Sequence, residues 1–169
     1  MKRIPMITCL MATLCFTTAP RLFAEEEYHR IGFNDLSAKF YNPETPEEKV
    51  DTVVRKDREY LEDFVPDNIL DLDGKPVEIA GFMMPLSLNG QNVEEFFLMP
   101  DMGGCCFGMM PALNGYVFAR SEKGTELFNN IPIRIRGKLE VEEVWKNGFF
   151  SHLYFVQVEE VVTGYGSAP

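Results

Sequence analysis

The residues best suited to chemistry are two adjacent cysteines, Cys105 and Cys106, in a glycine-rich segment that runs from Gly103 to Pro111. They are the only cysteines beyond residue 24, so no other thiol of that part of the chain can pair with them. Adjacent Cα atoms lie about 3.8 Å apart, below the lower end of about 4.4 Å for ordinary disulfides. The sequence leaves open a strained vicinal disulfide, two separate thiols, a metal site, an intermolecular bond, or buried structural cysteines.

Methionines surround the cysteine pair, because all six methionines beyond residue 24 fall between positions 83 and 110. Thioether and thiolate sulfur favour Cu(I), whereas zinc takes four ligands from thiolate, imidazole or carboxylate groups. His152, in the last predicted strand, would supply an imidazole. The predicted metal ligands are therefore Cys105, Cys106 and His152, for zinc or copper. The alternative is that the methionines and His152 are ordinary packing residues.

The sequence contains no recognisable catalytic constellation. His29 and His152 are its only histidines, so a Ser-His-Asp or Cys-His arrangement would depend on His152. Phosphate-binding, zinc-protease, nucleophile-elbow and dinucleotide motifs are also missing. We therefore interpret the chain as a non-enzymatic binding or accessory domain, with no predicted catalytic or cofactor-binding residues. The alternative is a thiol-disulfide redox protein that uses Cys105 and Cys106. The two thiols of such proteins normally have two residues between them and lie near a helix N-terminus.

The first 24 residues have the pattern of a secretory signal peptide. Lys2 and Arg3 precede a largely apolar stretch from Ile4 to Thr18, and Ala24 stands before an acidic run. The apolar stretch is shorter than the roughly 18 to 20 residues that span a bilayer. We expect cleavage after Ala24, no stable membrane insertion after cleavage, and a periplasmic or otherwise extracytoplasmic location.

The chain is strongly acidic. Sixteen Lys and Arg residues face 26 Asp and Glu residues, which gives a net charge of -10. The predicted leader removes Lys2, Arg3 and Arg21 but no acid, so residues 25–169 carry a net charge of -13. Nucleic acids and anionic membranes are bound by clusters of basic residues. We therefore predict that neither is a partner.

The hydrophobic pattern predicts a mainly β protein. Residues 25–70 read as an N-terminal extension with one helix, over residues 47–64, and residues 71–169 as a barrel domain. Residues 77–86, 93–99, 116–120, 131–142 and 150–162 are the predicted strands, several with apolar residues at every second position. Five strands fit a small antiparallel OB-like barrel, with a β-sandwich as the alternative. Gly81 and Gly137 lie within strands, which predicts a bend or a close backbone approach at each.

Four stretches of the chain resemble an exported bacterial family, the domain of unknown function 3299. They are the stretch from Leu72 to Leu86, with its Gly-Phe-Met-x-Pro-Leu element, Glu95 to Pro100, the cysteine segment with Pro111, and Ile135 to Val141. The resemblance covers roughly residues 64–162. It implies an OB-like periplasmic domain, often encoded beside ABC-transporter components and in some bacteria linked to zinc supply. Many members have one Cys followed by a His in the loop, whereas this chain has Cys105-Cys106-Phe107-Gly108.

Overall fold

The fold is built from seven strands and three short helices in the part of the chain that the computed structural model describes, residues 27–46, 51–90, 92–103 and 112–163. In chain order the elements are β1 (His29–Ile31), α1 (Phe33–Leu36), β2 (Thr52–Arg55), α2 (Arg58–Leu61), α3 (Asp67–Leu70), β3 (Pro76–Asn89), β4 (Asn92–Met99), β5 (Val117–Glu126), β6 (Pro132–Lys146) and β7 (Phe149–Thr163). No helix of these residues is long and apolar enough to cross a membrane.

Five of the strands close into a barrel in the order β3-β4-β5-β7-β6, with β6 pairing back onto β3. All of these neighbours are antiparallel except β5 and β7, which are parallel. Each of the five predicted strands is present, and the predicted OB-like barrel is confirmed. The sequence pattern succeeds here because Ile133, Ile135 and Leu139 point into the core, while the arginines between them face outward.

The barrel closes because its long strands change neighbours along their length. The first half of β3 pairs with β6 as far as Phe82, and from Phe82 onward β3 pairs with β4. A Cβ on Gly81 would lie 2.6 Å from the carbonyl oxygen of Met99, and one on Gly137 would lie 2.0 Å from that of Gln157. Both glycines are therefore required by close backbone approach, as their positions within strands predict.

The N-terminal extension differs from the sequence prediction. Within the range predicted as one helix, Thr52–Arg55 is a strand that pairs antiparallel with Lys146 to Glu143 of β6, and only Arg58–Leu61 is helical. The helix prediction is wrong for residues 52–55, and residues 47–50 lie outside the described part. Val53 and Val54 are β-branched, so an available edge of β6 favours strand over helix. Asp57 ends the strand and caps α2 by accepting a hydrogen bond from the Glu59 amide at 2.9 Å.

Candidate binding site

Two of the three predicted metal ligands, Cys105 and Cys106, lie outside the described residues. The described chain stops at Gly103, four residues after Met99, and resumes at Ala112. At the first of these ends, the Gly103 amide donates a 2.7 Å hydrogen bond to Oδ1 of Asp101. The structure therefore shows where the cysteine segment is attached and does not test whether its thiols meet His152.

A cleft of about 440 Å³ opens beside these two attachment points. Its volume falls in the range of small-molecule and side-chain pockets. Apolar and aromatic residues from four strands and the end of the cysteine segment form most of its wall: Met84, Phe97, Met99, Leu113, Tyr116, Lys146, Phe149, Phe150 and Ser151. Phe149 is 76% exposed and Leu113 is 38% exposed, so the rim presents apolar surface to solvent.

Tyr116 forms the centre of the aromatic wall. Its ring meets that of Phe97 edge-on, with centroids 4.8 Å apart, and it contacts Phe150 at 6.5 Å. Its hydroxyl donates a 3.1 Å hydrogen bond to the carbonyl oxygen of Ser151. Burial raises the pKa of Tyr116 to about 12. The phenol is therefore a neutral hydrogen-bond donor at physiological pH, and it ties β5 to β7 beneath the cleft.

The floor residue Phe150 is held from behind by a buried polar network. Tyr41 and Trp145 both pack against Phe150, with ring centroids 5.5 Å and 5.6 Å away. Each also donates a hydrogen bond to the Glu143 carboxylate, Tyr41 at 2.7 Å and Trp145 at 2.8 Å. The guanidinium of Arg55 at 2.7 Å adds another donor. The extension and β6 therefore fix the cleft floor through one carboxylate.

Four donors in all surround Glu143, because the Tyr60 hydroxyl also donates to it at 2.9 Å. The Glu143 side chain is fully buried. Burial, together with the neighbouring carboxylate, raises the pKa of Tyr41, so its phenol stays protonated and donates. Every contact of Glu143 is with a hydrogen-bond donor, which stabilises the ionised carboxylate in the interior.

Among the described residues that line the cleft, Lys146 is the only charged one. Its ammonium lies 5.5 Å from the centroid of the Phe118 ring, close enough for a cation–π contact. Arg120 lies over the other side of the same aromatic cluster, 6.0 Å from the Phe118 centroid and 5.9 Å from that of Phe155. A single cation on an apolar cleft favours a ligand that is mainly apolar and carries an anionic group.

His152 is buried beside the cleft, only 4% exposed. Its ring stacks on Phe118 with centroids 4.9 Å apart, and its Nδ1 lies 3.0 Å from Oγ of Ser151. Its Nε2 has no hydrogen-bond partner in the structure and lies 3.7 Å from Oε1 of Glu142, beyond hydrogen-bonding distance. Contact with His152 and the Lys56 ammonium at 2.7 Å hold the pKa of Glu142 below its usual range.

The imidazole and the Glu142 carboxylate are donors of the kind that zinc accepts. Their 3.7 Å separation is slightly wider than the roughly 3.3 Å between two ligands of a tetrahedral zinc ion. Two donors are too few for a structural zinc site. Within residues 27–46, 51–90, 92–103 and 112–163, no group of three or more His, Cys, Asp or Glu residues could hold a metal ion. Any metal at His152 would therefore need ligands from outside these residues.

Some residues of the site were not found from the sequence. Lys146 and Phe149 flank the turn at Asn147 and Gly148, whose φ angles of 53° and 80° are typical of a tight hairpin. The exposed aromatic residue beside this turn was not recognised as a functional signal in the sequence. Glu143 follows another acid in the sequence and looks like part of a solvated face. Only the pairing of β2 with β6 shows that donors surround it.

The closed barrel and its aromatic cleft define a small OB-type β-barrel domain with an N-terminal extension bound along two of its strands. The family described as "Protein of unknown function (DUF3299)" matches residues 34–163, and the chain belongs to this family. A crystal structure of a DUF3299 family protein from Pseudomonas aeruginosa PAO1 has a similar fold, with a TM-score of 0.56 and 18% sequence identity. The similarity covers 83% of this chain and 99% of that chain. No curated protein matches this sequence.

Proposed function

We propose that this protein is a non-enzymatic accessory domain that binds a partly apolar, anionic ligand or partner segment in the cleft between Phe97 and Phe149. The observation that carries the proposal is the composition of the cleft. Its wall is aromatic and aliphatic, and its one charged residue is Lys146. Apolar burial would supply most of the binding free energy, and the ammonium would select ligands with a negative group.

The OB-like barrel supports the same proposal. In OB folds the outer face of the second and third strands is a common binding surface. Here those strands are β4 and β5; β4 contributes Phe97 and Met99 to the cleft wall, and Tyr116 of the wall immediately precedes β5. The turn between the fourth and fifth strands, at Asn147 and Gly148, borders the same cleft. Aromatic side chains at such a surface provide stacking and apolar contact area.

Export, a role beside an envelope ABC transporter and metal handling belong to the same proposal. Export is supported by the leader-like first 24 residues, and N-terminal sequencing of the secreted protein should find Glu25 first. The transporter role is supported by the family resemblance. Metal handling is supported by Cys105, Cys106 and the unpartnered Nε2 of buried His152. Cys105→Ser and Cys106→Ser should each abolish stoichiometric uptake of Zn(II) or Cu(I) and leave the circular dichroism spectrum unchanged.

A pair of fluorescent probes tests the ligand class directly. Anilinonaphthalene sulfonate is an apolar ring system with one sulfonate, and phenylnaphthylamine is the same ring system without it. We expect saturable binding of the sulfonate probe and several-fold weaker binding of the uncharged probe, since only the first can pair with Lys146. Lys146→Met should remove the difference between the probes, whereas Phe149→Ser should weaken both.

The matched control is Lys123→Met, which removes an exposed lysine remote from this cleft. It should leave the affinity for both probes unchanged. Equal affinities of the folded wild-type protein for the two probes would refute the anionic part of the proposal. Unchanged binding by Phe149→Ser would place the probe site elsewhere.

A further inference from the structure

The barrel is closed between β5 and β7 by a short ladder only, and beyond this ladder the two strands diverge along a seam. These two parallel strands pair only over three residues, from Phe118 to Arg120 on β5. Beyond this point residues 121–124 of β5 bulge out of the ladder with β4, which resumes only at Thr125, whereas β7 continues to Thr163 with β6 as its partner. The side-chain Nε2 of Gln157 donates a 3.3 Å hydrogen bond to the Arg120 carbonyl oxygen and marks the closed end of the seam. Past it, the facing edges of β5 and β7 form no ladder with each other among the described residues.

A second cleft, of about 410 Å³, fills this seam. Its walls are the diverging strands themselves, residues 121–125 of β5 and Gln157, Val158, Glu159 and Val161 of β7. Unpaired strand edges are templates for an added strand, because their amide and carbonyl groups need partners. Past Gln157 the edge of β7 that faces away from β6 offers such groups to an incoming segment, and the bulged residues 121–124 of β5 flank it.

Side chains at the seam indicate which segment would fit. Val158 is nearly buried and Val161 packs against the core, so the base of the seam is apolar. Glu122 and Glu159 are exposed at its rim, with Lys123 as the one basic residue. An extended segment with alternating apolar and basic side chains would place the apolar ones on the valines and the basic ones beside the glutamates. The net charge of -10 on the whole chain also favours a basic partner.

We propose that this seam is a second interaction surface, separate from the aromatic cleft, which accepts an extended basic segment of a partner protein as an added β-strand. A second copy of this chain is disfavoured as the occupant, because it would bring another acidic edge to an acidic rim. Backbone hydrogen bonds would provide affinity, and the alternating side chains would provide specificity. The free edge of β7 runs only from Val158 to Thr163 among the described residues. The added strand is therefore expected to be short.

A labelled peptide of about six residues with alternating lysine and valine is the probe for this surface. Fluorescence anisotropy should show binding to the wild-type chain, and a glutamate-valine peptide should not bind. Replacing Glu122 with lysine should raise the Kd about fivefold or more, through loss of attraction and added repulsion. The matched control Glu44→Lys makes the same change of charge at an exposed site of the N-terminal extension and should leave the Kd unchanged.

An N-methylated version of the same peptide separates strand addition from charge attraction. It keeps every side-chain charge but cannot donate backbone hydrogen bonds, so its binding should be lost. Equal binding of the methylated and parent peptides would overturn the proposal, as would equal weakening by Glu44→Lys and Glu122→Lys. Dimerisation of the free chain through this seam, detected by sedimentation and abolished by Glu122→Lys, would make a second copy the occupant and would also overturn it.

Discussion

Replacing Glu143 by alanine should destabilise the protein more than any other single change at an acidic residue. Its Oε1 accepts from Arg55 at 2.7 Å and Trp145 at 2.8 Å, and its Oε2 accepts from Tyr41 at 2.7 Å and Tyr60 at 2.9 Å. Removing one partner of a buried ion pair costs about 3–5 kcal/mol. Since a domain of this size has about 5–15 kcal/mol of stability in total, Glu143→Ala should approach the limit at which the fold survives.

Glutamine at position 143 should cost less, about 2 kcal/mol. Its amide oxygen can accept from the guanidinium and the indole, and its NH2 group can donate to the two phenol oxygens. Urea unfolding measures both effects, with the single tryptophan, Trp145, as the fluorescent reporter and circular dichroism as the second probe. Glu122→Gln, at an exposed site, should stay within about 0.5 kcal/mol of wild type. An alanine variant that also stays within that margin would refute the assignment of Glu143 as the anchor of the cleft floor.

Three further predictions concern stability. Gly137→Val should lower the free energy of unfolding by about 3 kcal/mol or more, because its Cβ would lie 2.0 Å from a backbone oxygen. The control Gly32→Ala, whose Cβ has ordinary contacts, should change the free energy of unfolding by only a few tenths of a kcal/mol. Equal denaturation midpoints for the two variants would contradict the close approach at Gly137. Although Glu78 is buried, a hydrogen bond from Arg136 and the charges of two other arginines hold its pKa below the usual range. The stability that the Glu78 carboxylate provides is therefore present above about pH 4.3 and is lost as the pH falls through its lower pKa in the folded protein. Glu78→Gln should flatten the acid side of a plot of unfolding free energy against pH, and an unchanged slope would contradict this role of Glu78. Burial raises the pKa of Tyr116 to about 12. The stability that its neutral phenol provides is therefore present below about pH 10 and is lost as the pH rises toward 12. Tyr116→Phe should reduce the loss of unfolding free energy in this alkaline range, and a Tyr116 phenol that titrates normally in the folded protein would contradict the prediction.

The barrel could be predicted because its strands carry the information locally. Apolar residues at every second position of β6 and a tight turn at Asn147 and Gly148 predict strand and hairpin without reference to the rest of the chain. The extension could not be predicted in the same way. Val53 and Val54 fit one face of a helix as well as they fit a strand, and the edge of β6 decides between them. Such an edge is a long-range partner that no local pattern displays.

The candidate site shows the same division. The sequence directs attention to Cys105 and Cys106, which lie outside the described residues, and to His152, which the structure places on Phe118. Three cleft residues come from three places in the chain: Phe97 from β4, Tyr116 from just before β5, and Phe149 from β7. Their proximity depends on the order β4-β5-β7, and parallel pairing of β5 with β7 cannot be read from spacing. Lys146 is recognised as a candidate binding residue only from its position as the one charged side chain among the described residues of the cleft wall.

A nuclear magnetic resonance titration of the labelled protein with anilinonaphthalene sulfonate would show directly whether the aromatic cleft is the binding site. If the aromatic cleft is the binding site, the largest saturable shifts should fall on Leu113, Tyr116, Lys146 and the amides of residues 149–151. The seam residues 121–125 should not shift, because they form a separate cleft on the other part of β5. Shifts confined to the seam, or spread without saturation over the barrel, would contradict the account.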